Sequence, residues 1–461
     1  MDRKLGKGII AVLGANFINL IFNILTNFML PKMLSVDSYA AIKTFQLYTM
    51  YIGVFALGYA DGMYLRYGGK NLVDIDRTEL KTSLFSFRLL MIIESMILIP
   101  LGWVSKDRVL FCFILTILSV NMAGYFKNLY QAVGEFSLYG KILNTTTILT
   151  FVSNCILLFV IKTDNYFLFL CSYALVDLIV WGILEMKFCK FLKVPTHNLF
   201  SLKIIIEDIK SGFVLLIGNF SNIFLSSMDR WFVKIMMDAT QFAYYSFAVS
   251  MEGFLNVAIT PITTTLYNYF CKKRDYESVT KIRKYLLVVG SFLIASTFFV
   301  KGIVELFLKE YTGAMEVLFI LFSTQLVYIV IKGIYVNLYK ATRTQNKYFI
   351  RLVLVLAIGG ICNYSFVKIY PFKEAFAYGT LVSAVIWLFF CIFDFKEYKL
   401  EMRELIYLFI EIGTLIVCGK CFSSLVGLLI YAGVTSLMIN FFMKEEAKAL
   451  IRYGMNFFKR S

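Results

Sequence analysis

The first decisive stretch is residues 9–30, IIAVLGANFINLIFNILTNFML, which contains no Asp, Glu, Lys or Arg. A helix needs about 20 mostly apolar residues to cross the hydrocarbon core of a bilayer. The run is longer than the apolar core of a secretion signal and lacks a small-residue cleavage site. We therefore expect it to be retained as the first membrane-spanning helix.

Apolar runs of this length recur along the chain. Of its 461 residues, 59% are hydrophobic and 16% are charged, with a mean hydropathy of +0.73. An ordinary soluble domain carries about 25% charged residues. The sequence therefore predicts an all-α integral membrane protein, with about fourteen transmembrane helices. The predicted spans are residues 9–30, 40–60, 84–101, 109–128, 142–161, 166–186, 212–232, 241–269, 285–308, 314–339, 349–369, 375–393, 405–422 and 424–443.

A weak internal repeat predicts two halves. Residues 32–45, KMLSVDSYAAIKTF, align with residues 234–247, KIMMDATQFAYYSF, at an offset of 202. The same offset places the first span on the seventh. We expect two six-helix lobes, residues 1–190 and 211–395, related by a pseudo-two-fold axis along the membrane normal, with a cavity between them. An additional helix pair covers residues 404–443.

The net charge of +16 is explained by topology. Most of the Lys and Arg residues fall in alternate short segments between spans, which the positive-inside rule assigns to the cytoplasm. This pattern places the N- and C-termini in the cytoplasm. Nucleic acid is not needed to explain the charge, and we expect no nucleic-acid partner.

Four asparagines lie on one face of the first span, because they are three, four and four residues apart: Asn16, Asn19, Asn23 and Asn27. Amides facing lipid would lack hydrogen-bond partners. The stripe therefore either forms hydrogen bonds between helices or lines a water-filled cavity that contacts a hydroxyl-rich substrate.

The seventh span carries a similar stripe. Asn219, Asn222 and Ser226 share its polar face, and Asp229 and Arg230 follow towards the predicted outer surface. We assign Asn222 to the substrate cavity. Asp229 and Arg230 form either an outer gate or a paired interfacial cluster.

Lys332 is the most informative residue of the chain, because an ammonium deep in a span requires a partner or a cavity. Its helix places five polar residues on one face: Gln325, Tyr328, Lys332, Tyr335 and Tyr339. We assign Gln325, Tyr328, Lys332 and Glu252 of the eighth span to the substrate cavity. The alternative is a structural ion pair between Lys332 and Glu94, Asp177 or Glu252.

The second span ends in a glycine-rich, basic segment. Asp61 and Gly62 precede Arg66 and Lys70, in a spacing that matches neither a P-loop nor a dinucleotide fingerprint. We expect Asp61 to be an inner gate and Arg66 to contact a lipid headgroup or the substrate. No catalytic residue, metal site or cofactor is expected.

Residues 30–70 carry a family resemblance. LPKMLSVDSYA (30–40) and GYADGMYLRYGGK (58–70) resemble the Wzx-type flippases of polysaccharide repeat units, as does the Asp229–Arg230 pair. These flippases belong to the multidrug/oligosaccharidyl-lipid/polysaccharide exporter superfamily. The resemblance implies alternating access that turns an undecaprenyl-pyrophosphate-linked oligosaccharide to the outer face of the plasma membrane, for lipopolysaccharide, capsule or exopolysaccharide synthesis.

The resemblance also implies cationic residues in the cavity, for which Arg66, Lys332 and Arg230 are the candidates. It leaves open coupling to H+ or Na+ and association with a polysaccharide polymerase, besides contact with membrane lipids. One alternative function is an ion-coupled multidrug antiporter of the same superfamily, dependent on a carboxylate such as Glu252 or Asp177. A polytopic polymerase or glycosyltransferase is disfavoured, because no large outer loop is present. We therefore expect a transporter and not an enzyme.

Overall fold

A computed structural model of the chain describes residues 3–192 and 200–458. Within these two ranges every regular element is a helix, which confirms the predicted all-α fold. The first helices in chain order are α1 (Arg3–Met33), α2 (Val36–Thr49), α3 (Tyr59–Tyr67), α4 (Arg77–Val104), α5 (Arg108–Ala132), α6 (Phe136–Cys155), α7 (Tyr166–Leu192) and α8 (Leu202–Met236).

The remaining α-helices are joined by short connections. They are α9 (Ala239–Lys272), α10 (Tyr276–Ile294), α11 (Thr297–Phe307), α12 (Met315–Val330), α13 (Val336–Ala341), α14 (Gln345–Ile369), α15 (Glu374–Asp394), α16 (Met402–Cys421), α17 (Ser424–Phe442) and α18 (Lys444–Phe458). Two wider π-helical turns continue α6 and α12, at Ile156–Ile161 and Ile331–Tyr335.

Ten helical segments of the described residues are long and apolar enough to cross a membrane, and a bent pair makes an eleventh. The bent pair joins Val36–Ala56 to Tyr59–Tyr67 at 61°. Three further predicted spans lie on α1, α9 and α16, which are not among these segments. Each of the fourteen predicted spans therefore falls on a helix, and the protein is a multi-pass membrane protein.

The chain forms two compact units, Met1–Ser227 and Met228–Ser461. The boundary lies within α8, so most of that helix belongs to the first unit. In the second unit α12 is the central helix, since nearly all of its residues are buried. Within this unit, a fully buried ion pair holds α16, the first helix of the predicted additional pair. Arg283 of α10 donates to both carboxylate oxygens of Glu404 of α16, at 2.9 and 2.6 Å.

Glycines set the distance between α3 and α8 in the first unit. Leu57 and Gly58 have positive φ values of 51° and 84°, which ends the helical path before α3 begins. A Cβ atom on Gly62 would overlap the backbone of Asp208, and one on Gly212 would overlap the backbone of Gly58. The two helices therefore approach at backbone contact, as small residues allow in membrane proteins.

We expect Gly212→Ala to destabilise the protein by about 1–3 kcal/mol, because the added methyl group forces the two helices apart. Gly218→Ala is the matched control in the same helix, since no atom lies within 4 Å of its added Cβ. That change should be neutral or slightly stabilising, because alanine favours a helix by about 1 kcal/mol over glycine. Thermal unfolding in detergent compares the two; equal midpoints would contradict the close approach.

Candidate functional site

The second span is broken where it meets a cavity. A single 3-10 turn, Ile52–Ala56, replaces the α-helix between α2 and α3. The amide of Asn121, on α5, donates to the carbonyl oxygen of Ile52 at 3.1 Å. Irregular backbone is tolerated at membrane depth only where protein or a cavity satisfies it, and broken helices are where transporters place their binding sites.

The cavity beside this break has a volume of about 430 Å³ and belongs entirely to the first unit. Five polar side chains line it, among them the predicted gate Asp61 and the predicted cavity residue Asn222. Asn219 donates a long hydrogen bond of 3.4 Å to Asp61. The polar lining residues are Asp61, Asn121, Asn128, Asn219 and Asn222. Such a cavity offers amide donors and acceptors together, which is what hydroxyl groups require.

The asparagine stripe of α1 divides into two parts. Asn16 and Asn23 are exposed, whereas Asn27 accepts a hydrogen bond from Lys43 of α2 at 2.8 Å. Lys43 is itself buried and also donates to Gln46 at 3.0 Å. Asn27 therefore has a role between helices, whereas Asn16 and Asn23 remain accessible. Asn19 is half-buried on the same stripe.

Arg66 lies in an ion-pair network and not in the amide-lined cavity. Its guanidinium contacts the buried Asp208 of α8 at 2.7 Å and Glu79 at 3.2 Å. It also donates to Ser83 at 3.0 Å, and Tyr125 donates to the same hydroxyl at 3.1 Å. The guanidinium that was expected to contact substrate is thus already paired with two carboxylates.

The second unit gathers four of the predicted cavity residues. Gln325 donates to the carboxylate of the half-buried Glu252, and Lys332 lies within electrostatic reach of that carboxylate. The ammonium of Lys332 stands 5.1 Å from the ring centre of Tyr328. Within residues 3–192 and 200–458, no carboxylate oxygen lies within 4.0 Å of the Lys332 ammonium. The contacts of Lys332 therefore do not include the direct ion pair that was the alternative to a cavity.

Asp229 and Arg230 adjoin the same cluster. Asp229 is buried and accepts a hydrogen bond of 2.7 Å from Tyr245 of α9. Both Asp229 and Arg230 act electrostatically on Glu252. The cluster therefore combines two cations, Lys332 and Arg230, with two carboxylates.

A π-helical turn contains Lys332 and Tyr335 and precedes Tyr339. The sequence spacing places Tyr335 and Tyr339 on the face of Lys332, but the turn at Ile331–Tyr335 adds a residue to the helical repeat. Tyr335 instead donates to the carbonyl oxygen of Tyr398 at 3.0 Å. Tyr339 donates to Asp394 at 2.6 Å. The stripe predicted from sequence thus serves two different neighbourhoods.

One polar contact recurs in both units at the offset of the internal repeat. Adding 202 to Asn27 and Lys43 gives Asp229 and Tyr245. Lys43 donates to Asn27 at 2.8 Å, and Tyr245 donates to Asp229 at 2.7 Å. The first and second spans of each half are therefore joined by side chains at corresponding positions, although the residue types differ.

Sequence reasoning did not single out several polar residues of these sites. Lys43 lies three residues inside a predicted span, a depth that marks it as a buried cation. Lys127 of α5 was also not singled out, and it interacts electrostatically with Asp177 of α7, which the sequence analysis offered as a coupling carboxylate. Asn121 and Asn128 are seven residues apart on α5, which is a helical repeat. No sequence pattern pointed to Asp208, because it lies in the segment that was predicted to be an inner loop.

We expect Asn219→Cys and Asn128→Cys to react with a membrane-impermeant thiosulfonate in a background without reactive native cysteines. Thiosulfonates modify thiolates in water and leave thiols in lipid unmodified. Leu115→Cys is the matched control on α5, because its side chain is apolar and 42% exposed. Mass spectrometry of the labelled protein measures the three rates, and labelling of Leu115→Cys alone would show that the cavity is not hydrated.

No family model matches the sequence, and no curated protein does. The fold, by contrast, is similar to solved transporters. It aligns with the lipid II flippase MurJ in its inward closed conformation at a TM-score of 0.66 and 13% identity, covering 94% of this chain and 98% of MurJ.

Two transporters of the MATE family are also similar. An inward-facing MATE transporter of the MOP superfamily aligns at a TM-score of 0.56 and 13% identity, over 83% of this chain and 95% of that protein. A mutant of the Vibrio cholerae MATE transporter VcmN aligns at 0.55 and 15% identity, over 88% and 98%. The structural neighbours are thus transporters of the MOP superfamily, and this chain has the all-helical membrane fold that they share.

Proposed function

We propose that the protein is a flippase that carries an undecaprenyl-pyrophosphate-linked oligosaccharide repeat unit from the cytoplasmic to the outer face of the bacterial plasma membrane, by alternating access. The observation that carries this proposal is the cavity lined by Asp61 and four asparagines. The likeness to MurJ, a lipid II flippase, supports a lipid-linked substrate. Both termini are proposed to lie in the cytoplasm.

Sugar recognition is assigned to the amide groups of the first unit. A hydroxyl group taken out of water without a partner costs roughly 2–7 kcal/mol. Asn121, Asn128, Asn219 and Asn222 present both donors and acceptors to the cavity, so they replace those lost hydrogen bonds. Asn16 and Asn23 are exposed on a span where amides facing lipid would be costly, and we place them on the same transport path.

Pyrophosphate recognition is assigned to Lys332. Its ammonium is near Glu252 but is not within ion-pair distance of it, and the buried amide oxygen of Gln325 has no hydrogen-bond partner in the described part of the chain. The cluster is neutral while Glu252 and Asp229 are both ionised. Protonation of Glu252 would leave Lys332 as an uncompensated cation for the phosphate, which offers a route for coupling to H+.

The isoprenoid tail needs no polar site, because it stays in the hydrocarbon during transport. Export of an anion from a negative cell interior is also favoured by about 2.3 kcal/mol per charge for each 100 mV. The protein then has only to enclose the headgroup. Asp61, at the amide-lined cavity, and Asp229 with Arg230, at the charged cluster, remain our proposed gates.

The second candidate function is an ion-coupled multidrug antiporter. The half-buried carboxylate of Glu252, held by Gln325, is the observation that favours it, together with the likeness to MATE transporters. In such an antiporter Glu252 itself would bind the coupling ion, and Lys332 would not be needed for the substrate.

We expect Lys332→Met to slow flipping of a radiolabelled undecaprenyl-pyrophosphate oligosaccharide in proteoliposomes by about tenfold or more, since a hydrogen bond to a charged group is worth about 1.5–3 kcal/mol. Lys332→Arg should keep part of the rate. Lys420→Gln is the control, because this lysine is paired with Glu316 outside the cluster. Unchanged flipping by Lys332→Met would remove Lys332 from the site.

We expect the unsubstituted protein to flip the lipid-linked sugar without driving efflux of cationic dyes. Glu252→Gln separates the two functions further, because it imitates the protonated carboxyl. In the flippase this variant should keep flipping but lose any pH dependence of the rate. Dye efflux that depends on an ion gradient and disappears in Glu252→Gln would instead favour the antiporter.

A further inference from the structure

A second cavity of the first unit lies among α5, α6 and α7, away from the amide-lined cavity. Its volume is about 280 Å³, just below the range of roughly 300–1,000 Å³ typical of ligand pockets. Leu72, from the 3-10 turn Leu72–Asp74, covers one side. The cavity shares no lining residue with the amide-lined cavity.

Two lysines line this cavity, Lys141 near the start of α6 and Lys187 near the end of α7. Both are exposed, and in the part of the chain that the structure describes neither has a carboxylate within 4.0 Å. These helix ends are the ones that the positive-inside rule assigns to the cytoplasm. The two ammonium groups therefore add uncompensated positive charge at the level of the inner headgroups.

The remaining walls are almost wholly apolar and aromatic. Only Thr145 and the hydroxyl of Tyr130 add further polar atoms to them. The apolar and aromatic lining residues are Leu72, Tyr130, Leu138, Ile142, Val180, Ile183, Leu184, Phe188 and Phe191. A ligand that fits this lining has an anionic head and a hydrocarbon chain.

The second unit has a cleft of the same character on the corresponding helices. Adding 202 to residues 136–161 and 166–192 gives 338–363 and 368–394, which overlap α14 and α15. A cleft of about 620 Å³ on these helices is lined by three basic residues, Arg351, Lys396 and Lys399, and by Phe389, Phe390, Ile392 and Phe393. Arg351 is paired with Asp394 at 2.7 Å, so Lys396 and Lys399 supply the uncompensated charge there.

We propose that the cleft of Lys141 and Lys187 binds an anionic glycerophospholipid of the inner leaflet, with its phosphate on the two lysines and an acyl chain along Ile142, Val180 and Phe188. Basic pockets between helices on the cytoplasmic side of a membrane are suited to such headgroups. The repeated cleft in the second unit supports this, because the same pattern of charge and apolar wall occurs twice. The inference does not depend on which substrate the protein transports.

The test is a titration of phosphatidylglycerol and of phosphatidylcholine into the protein in a neutral detergent, with bound lipid counted by native mass spectrometry. We expect phosphatidylglycerol to bind more tightly. Lys141→Gln and Lys187→Gln should each weaken its binding by about fivefold, and the double variant by more, since each basic group near a membrane surface is worth about that factor.

Lys190→Gln is the matched control, because Lys190 is exposed on α7 but does not line the cleft. Thermal unfolding midpoints should stay unchanged in all variants, which shows that folding is intact. Equal binding of the two lipids, or equal losses in Lys187→Gln and Lys190→Gln, would overturn the proposal. Displacement of phosphatidylglycerol by an equal concentration of undecaprenyl phosphate would also overturn it, by assigning the cleft to the transported lipid.

Discussion

Hydrocarbon supplies no hydrogen bonds, so each backbone N–H or C=O left without a partner in the membrane costs several kcal/mol. This constraint explains why the described chain is helical throughout and why its irregular points are few. The break at Ile52–Ala56 and Gly58 is one of them, and Asn121 satisfies the carbonyl of Ile52 there. Asn121 also lines the cavity, so the same side chain stabilises the helix break and contributes to the site.

The same constraint sorts the buried charges into two groups. Arg283 and Glu404 satisfy one another with two hydrogen bonds, and Lys301 donates to the carbonyl oxygens of Gly419 and Phe422 at 2.7 and 2.5 Å. These cations hold α16 against α10 and α11 within the second unit, and their donors are occupied. Lys332 differs, because its strongest described contacts are an aromatic ring and a carboxylate beyond ion-pair distance. A half-buried cation with spare donors is suited to bind a ligand.

The spans could be predicted from the sequence because hydrophobic length is a local property, and the polar stripes of α1 and α8 followed from helical spacing. The partners of the polar residues could not be predicted. Arg66 contacts Asp208, a residue 142 positions later, and that contact depends on the glycines that bring α3 and α8 together. Helical spacing also failed at Tyr335 and Tyr339, since periodicity assumes an unbroken α-helix.

The π-helical turn at Ile331–Tyr335 is the place in this span where the chain length can change by one residue. Such a turn takes up one extra residue, so removing one residue there would restore a continuous α-helix and keep the direction of the side chains beyond it. Tyr339 would still face Asp394, and Gln325 and Tyr328 would stay in place. An insertion or deletion in the α-helical residues on either side would instead rotate everything beyond it by about 100°. Among homologous chains, a one-residue gap is therefore expected at this turn and not beside it.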